Sequence, residues 1–304
     1  QELRQYDVVH IYGLYDLLGP AAGRAARLAG VPYVLEPLGM TRPIDRSFRI
    51  KRLWLRMFGR ALYDGAARII ATSEMEQQEL LEDGYSNGKV RLRFNGIDLV
   101  EFAAMPPRGS FRAKWKIGNG ERIVLFLGRI IPRKGADLLI EAFATVNGGS
   151  GRLVIAGPEG ETGYVGKLKE LARSRGVAER VIFTGPLYAS EKTAALADAD
   201  VFALPSSYEN FANAAAEAVA CGVPMIVTDR CGIGSLVDQK AGIVIRRDGA
   251  ELARALRELL ENEGLRARLR AGCGEVTREL AWEKLAEQME RHYVEVVAER
   301  NGRR

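Results

Sequence analysis

Cysteine, histidine and long apolar runs are what this sequence has least of. Its three cysteines, Cys221, Cys231 and Cys273, have neither disulfide nor metal-ligand spacing, and only two histidines accompany them. A disulfide scaffold and a structural metal are therefore excluded as organising devices, and a reducing cytoplasm is the expected compartment. No apolar stretch approaches the ~20 residues needed to span a bilayer. The start has no basic segment followed by an apolar one, so no signal peptide is read. No motif of basic residues interleaved with aromatics is present, which argues against nucleic acid as a partner. The Cys231-Gly232-Ile233-Gly234 stretch lacks the full glycine fingerprint of a dinucleotide site, so a nicotinamide cofactor is disfavoured.

What is present is the composition of an ordinary globular protein. Of 304 residues, 47% are hydrophobic and 27% charged, which fits two domains. The net charge of +5 suits an anionic ligand or an anionic membrane surface. The chain opens at Gln1 and reaches the apolar run Asp7 to Tyr12 almost at once, so further residues are expected upstream.

Residues 7–100 alternate short apolar runs (Val8–Tyr12, Tyr33–Leu35, Arg68–Ala71, Val90–Arg93) with helical segments (Asp16–Ala29, Ser47–Tyr63, and one opened by Thr72 or Ser73 with Glu76 completing a capping box). Arg42, Arg46, Arg49, Lys51, Arg52, Arg56 and Arg60 lie in or near the second helix, among Leu53, Trp54, Leu55, Met57 and Phe58. Two readings stay open: a helix lying on an anionic membrane, or a surface helix whose basic side chains pack over core aromatics. The Pro106-Pro107-Arg108-Gly109 stretch reads as a linker. Beyond it, six Val/Ile-rich runs (123–127, 153–156, 181–184, 201–203, 225–227, 243–245) separated by helices imply a buried parallel sheet. Three helices, 250–261, 264–277 and 281–299, close the chain. The expected division is 1–105, 106–280 and a final segment 281–304.

Two loops carry the candidate chemistry. Gly128-Arg129-Ile130-Ile131-Pro132-Arg133-Lys134-Gly135 follows the first strand of the second domain, at the strand end where open α/β sheets bind ligands. Arg129 offers a planar fork to phosphate oxygens and Lys134 a compact charge, with glycines that let backbone approach. Arg133 is read as solvated, and Gly157-Pro158-Glu159-Gly160 as a turn. The second loop runs from Pro205 into the alanine-rich helix that Gly222 terminates. The first turn of that helix, near Phe211 to Asn213, carries partial positive charge and makes a phosphate seat. Glu209 precedes the helix and Glu217 lies inside it, roughly 10 Å away at about 1.5 Å rise per residue. That spacing matches a nucleotide sugar, with Glu209 accepting from hexose hydroxyls and Glu217 from the ribose diol.

The ordered set Gly128-Arg129, Lys134-Gly135, Glu209-Asn210-Phe211 and Glu217-Ala218 to Gly222-Val223-Pro224 resembles the family-4 retaining glycosyltransferases of GT-B fold. The resemblance implies an α/β protein of two doubly wound Rossmann-like domains with parallel sheets, the N-terminal one incomplete here. It implies a donor held in the cleft mainly by the C-terminal domain, with Arg129 and Lys134 on the diphosphate, Glu209 on the sugar and Glu217 on the ribose. Gly128, Asn210 and backbone groups of Phe211, Ala212 and Asn213 join the donor site, Leu187 matches a base-contacting position, and Lys192 is a further carry-over. The final helix is expected to cross back to the first domain. Leu38 stands where many members place a histidine near the donor sugar, and His10 at a strand end faces either the cleft or the core.

The implied activity is transfer of a sugar from a nucleoside diphosphate donor to a glycan or lipid-linked acceptor with retained configuration, as in polysaccharide or glycolipid synthesis. The enzyme is then a hexosyltransferase of class EC 2.4 with no cofactor or obligatory metal, expected in the cytoplasm, with peripheral contact at the inner membrane face left open by the two readings of the basic helix. The alternative is a nucleotide-sugar-binding module without activity.

Overall fold

The computed structural model describes residues 2–43, 48–146 and 151–302. Contacts divide the chain into two units, one running to Gly96 and including the final helix from Trp282, the other Ile97–Ala281.

The first unit contains β1 (Val9–Tyr12), α1 (Leu18–Ala29), β2 (Tyr33–Glu36) and α2 (Phe48–Trp54). A single π-helical turn, Leu55–Gly59, leads from α2 into α3 (Arg60–Gly65), followed by β3 (Arg68–Ala71), α4 (Glu74–Glu82) and β4 (Val90–Leu92). Arg46 and Ser47, expected at the start of the basic helix, lie outside the described residues. The four strands are parallel in the order β1-β2-β3-β4. One face packs Ile11, Tyr33, Leu35 and Ile69 against Ala26 of α1, Leu62 and Tyr63 of α3, and Leu80 of α4. Ser73 caps α4, accepting the Glu76 N–H. The Glu76 carboxylate accepts from the N–H groups of Thr72 and Gly39, tying α4 to the loop after β2.

The second unit begins with α5 (Leu99–Ala103) and α6 (Ser110–Trp115). It continues with β5 (Arg122–Leu127), α7 (Ala136–Ala144), β6 (Gly151–Ala156), α8 (Tyr164–Ser174), β7 (Val181–Gly185), α9 (Ala189–Asp198) and β8 (Val201–Leu204). Then follow α10 (Asn213–Ala220), β9 (Met225–Thr228), α11 (Gly234–Val237), β10 (Gly242–Ile245), α12 (Gly249–Glu261) and α13 (Glu263–Glu279). The six strands are parallel in the order β10-β9-β8-β5-β6-β7. Ile123, Val124, Leu125 and Phe126 are all fully buried, because helices cover both faces of the sheet, and only Arg122 at the start of β5 meets water. From β5 the chain winds outward through β6 and β7, then returns beside β5 as β8 and winds the other way. The direction of winding therefore reverses between neighbouring β5 and β8, and in open α/β sheets ligands bind at the carboxyl ends of the strands at such a reversal.

The linker reading needs correction, since the division falls at Gly96/Ile97 and not at Pro106. The Ile97 N–H bonds the Leu280 carbonyl at 2.8 Å, and Ile97 bridges Ala281. Buried Phe102 and a Met105–Cys221 contact likewise hold the segment before the prolines on the second unit.

The final helix, α14 (Trp282–Gly302), supplies Met289 and Val296 to the second face of the first unit's sheet, against Val34 and Ile70. Polar contacts secure it: Gln288 donates to the Leu92 carbonyl, and Arg68 pairs with Glu299. His10 is part of this packing, its Nδ1 2.6 Å from the Tyr293 hydroxyl and its ring stacked on Tyr12, so the core reading of that histidine applies.

At the amino end of the second sheet, the buried Asp200 carboxylate accepts from the Ile123 N–H and from Arg112, both at 2.9 Å, and pairs with Arg108 and Arg122. Removing one partner of a buried ion pair costs about 3–5 kcal/mol, because the others keep their desolvated charge. Asp200→Ala is expected to lower stability by about that amount in chemical denaturation; an unchanged midpoint contradicts the assignment of this cluster as a structural clamp.

Candidate functional site at the strand switch

The backbone after β5 is built for close approach. Gly128 has φ +150° and Gly157, after β6, φ +145°; a Cβ on Gly157 would lie 1.8 Å from the Gly128 carbonyl oxygen. Pairing continues past the strand ends. The Ile130 N–H donates to the Pro158 carbonyl and the Gly160 N–H to the Ile130 carbonyl, so Gly157–Gly160 is an extension of the sheet edge and not an isolated turn.

Arg129 is exposed, its stem lying where a Cβ on Gly160 would meet its Cγ at 2.6 Å. Among the described residues its guanidinium makes no hydrogen bond or ion pair. Lys134 folds back over Gly128, with Nζ 3.2 Å from where that residue's Cβ would be. Its Nζ also lies 3.1 Å from Oε1 of Glu209, each side chain being 13% exposed.

The loop after β8 is fastened to the loop after β5 mostly through backbone. Gly135, at φ +74°, presents its Cα to Pro205, whose carbonyl oxygen would be 2.3 Å from an added Cβ. The Ser207 N–H donates to the Arg133 carbonyl at 2.8 Å, and the Arg133 guanidinium donates to the Tyr208 carbonyl at 2.6 Å. Arg133 is thus a strap between the two loops and not a solvated charge.

A third loop holds Glu209 from behind. Its N–H donates to the Arg230 carbonyl and its carbonyl accepts from Gly232, while the Ile233 N–H donates to the Phe211 carbonyl. Cys231-Gly232-Ile233-Gly234 is therefore a brace for the Glu209 segment. Sequence reasoning also missed Ser206, whose hydroxyl lies 3.3 Å from Glu209 Oε1. Its only trace in the sequence is its place three residues before Glu209.

Ala212 enters α10 in the left-handed conformation, φ 75° and ψ 64°, and offers no side-chain cap. For a non-glycine residue that conformation costs on the order of 1–3 kcal/mol, and such strain concentrates at binding sites. The side chains of Phe211 and Ala212 are buried, so only their backbone is available to a ligand, whereas Asn213 is exposed.

Within α10, Glu217 meets the Lys192 ammonium at 3.1 Å, and Lys192 also meets Glu101 at 3.0 Å. Burial disfavours the charged lysine, but the two carboxylates outweigh it and raise its pKa. Burial, then Glu217, pushes the neighbouring Cys221 thiol up to about 12, so it stays neutral and unreactive. Leu187 is buried just beyond Gly185, whose carbonyl accepts the Gly157 N–H. The loops after β5, β6, β7 and β8 are thereby joined along one edge. Among the described residues no His, Cys, Asp and Glu cluster could hold a metal ion.

Residues 107–273 match the model of the glycosyl transferases group 1 family, and residues 2–96 that of a glycosyl transferase 4-like domain. The chain belongs to the group 1 glycosyltransferases. It is 30% identical to a D-inositol 3-phosphate glycosyltransferase from Xylanimonas cellulosilytica, over 98% of this chain and 74% of that relative. Among solved structures, a sucrose-phosphate synthase from Thermosynechococcus elongatus superposes with a TM-score of 0.80 at 25% identity, covering 97% of this chain and 74% of that one. HepE from Anabaena, solved with UDP, does so with a TM-score of 0.81 at 21% identity, covering 97% and 80%. This glycosyltransferase therefore has the GT-B fold, with a parallel-sheet α/β unit in each half, and is a transferase of class EC 2.4.

The close contact at Gly157 has a measurable consequence. Gly157→Ala is expected to displace the Gly128 carbonyl, lowering both the melting temperature and transfer activity, since backbone cannot yield as a side chain does. Gly166, inside α8 with no heavy atom near an added Cβ, provides the contrast. Gly166→Ala should stabilise by about 0.5–1 kcal/mol. Equal melting temperatures for the two variants contradict this account.

Proposed function

We propose that this glycosyltransferase binds a nucleoside diphosphate sugar at the strand switch of its second unit and transfers the sugar with retained configuration. The carrying observation is that Lys134, Glu209 and the left-handed entry to α10 come together at the carboxyl ends of adjacent β5 and β8. Arg129 and Lys134 take the diphosphate together with the first turn of α10, where Asn210 and backbone groups of Phe211, Ala212 and Asn213 complete the seat. Glu209 meets the hexose, Glu217 the ribose, Leu187 the base, and Gly128 lets the donor lie close to the chain. As the glycosidic bond breaks through an oxocarbenium-like state, charge grows on the departing diphosphate, and these fixed positive groups stabilise it. Two cations and a helix terminus supply that charge without an obligatory metal. HepE was solved with UDP and the curated relatives are named for inositol 3-phosphate, which supports a nucleotide donor and puts a phosphorylated polyol beside glycan and lipid-linked acceptors in any panel.

The Lys134–Glu209 pair sharpens the test. Glu209→Gln releases the lysine charge, so free UDP or GDP binding should be kept or tightened while transfer falls. Glu217→Ala should weaken the free nucleotide by about tenfold. Losing Arg129 or Lys134 should cost roughly one to two orders of magnitude in turnover at unchanged melting temperature. Calorimetry showing both glutamate variants weakening the free nucleotide equally overturns the division of roles, and normal turnover without Arg129 or Lys134 removes that residue from the site.

A second observation bears on where the enzyme works. No described helix is long and apolar enough to cross a membrane. In the segment Phe48 to Arg60, Trp54 and Leu55 pack inward, but Phe48, Ile50, Leu53 and Met57 are exposed beside Arg49, Arg52, Arg56 and Arg60, with no acidic residue. Of the two readings of this helix, its outward apolar side chains favour one resting on an anionic lipid surface, at the inner face of the membrane where a lipid-linked acceptor is met. The protein should co-sediment with vesicles containing phosphatidylglycerol more than with phosphatidylcholine alone, and Ile50→Ser with Leu53→Ser should abolish the difference. Equal recovery with both vesicle types contradicts membrane docking.

A further inference from the structure

Three charged side chains from three elements converge beside the helix that carries Glu217: Glu101 of α5, Lys192 of α9 and Glu217 of α10. Lys192 is only 18% exposed, and its ammonium also lies 5.8 Å from the centre of the Phe102 ring. An ammonium has three donors, so it engages both carboxylates at hydrogen-bond distance. Its contact with Glu217 is to Oε1, and the Glu217 side chain is 27% exposed, so the carboxylate stays within reach of a ligand.

We propose that Lys192 is a positioning residue that sets the Glu217 carboxylate for a vicinal diol, with Oε1 tethered and Oε2 left for the ribose hydroxyls. The inference rests on the reading of Glu217 as the ribose acceptor and adds what gives that carboxylate its selectivity. An untethered glutamate on a helix surface loses rotamer freedom when a ligand orders it. Lys192 removes most of that cost beforehand, as preorganisation generally does. It also offsets the negative charge that Glu217 would otherwise present to a nearby diphosphate. Glu101 completes the arrangement by holding the ammonium from the other side, which keeps Lys192 on Glu217 instead of on the ligand.

The tether predicts an effect on discrimination between ribose and deoxyribose, not simply on affinity. The decisive measurement is calorimetry of UDP against 2′-deoxy-UDP, or the guanine pair if that binds more tightly, on the wild type, Glu217→Ala, Lys192→Met and Lys192→Arg. Lys192→Met is expected to lose about tenfold of the preference for ribose, mainly through weaker binding of the ribonucleotide. Lys192→Arg, which retains a donor to the carboxylate, should recover much of it. Combining Lys192→Met with Glu217→Ala should remove no more of the preference than Glu217→Ala alone. If Lys192→Met weakens both nucleotides by the same factor, the lysine acts on the ligand's charge or on the fold, and the inference is overturned. An unchanged preference in Lys192→Met overturns it as well. Absence of any ribose preference in the wild type, or its survival in Glu217→Ala, instead defeats the ribose reading of Glu217 on which the inference stands.

Discussion

Two backbone contacts hold the second unit's candidate site together: the Gly128 carbonyl against Gly157, and the Pro205 carbonyl against Gly135. Each leaves no room for a Cβ, and each lies where loops from neighbouring strands of a parallel sheet meet. Parallel strands deliver all their carboxyl ends to the same edge, and the winding reverses between β5 and β8. Glycine then lets the loops close on one another instead of standing off by a side-chain width. Arg133 and the brace from Arg230 to Ile233 fasten what the glycines allow. The positions of Lys134 and Glu209 follow from this closure, since neither loop alone would bring an ammonium within 3.1 Å of a carboxylate.

The charges at this edge are paired but incompletely buried, and that distinguishes them from those at the opposite end of the sheet. Asp200 is 3% exposed and faces three arginines and a backbone N–H, so its partners are satisfied within the protein. Glu209 and Lys134 have one another, Glu217 and Glu101 share Lys192, and Arg129 has no protein partner among the described residues. Lys134 and Glu209, each 13% exposed, are sheltered less completely than Asp200 and keep an edge open to solvent. The same residue types thus form a fully enclosed clamp at one end of the sheet and partly exposed pairs at the other.

In the first unit the constraint is coverage of a sheet whose strands follow one another in order. With β1-β2-β3-β4 adjacent in sequence, α1, α3 and α4 pack on one face, and Val34 and Ile70 on the other need a cover from elsewhere in the chain. The final helix provides it through Met289 and Val296, with the His10–Tyr293 contact at one strand. Buried Glu36, at the end of β2, is neutralised by Arg93 at 2.6 Å and approached by His10 at 3.4 Å. Leu38, just beyond, takes a left-handed conformation at φ 57° and is partly exposed.

Much of this was legible in the residues themselves. Hydrophobic periodicity locates the strands of both sheets, because a parallel strand buried on both faces must be continuously apolar, as Ile123 to Leu127 shows. The spacing of Gly128, Lys134, Glu209 and Glu217 marks the candidate site, since glycine and charge at strand ends have few other uses. Contacts between residues far apart in sequence were decided only by the tertiary structure. Arg133 reads as one more solvated cation until Tyr208 is placed against it, and Cys231 to Gly234 reads as a poor dinucleotide motif until Glu209 lies beside it. The outward turn of Ile50 and Leu53 cannot be inferred from helical spacing, because a face rich in both arginine and leucine satisfies either orientation. Local sequence determines which backbone shapes are accessible and which side chains resist water. Which carboxylate receives which cation depends on strand order, and strand order is a property of the whole sheet.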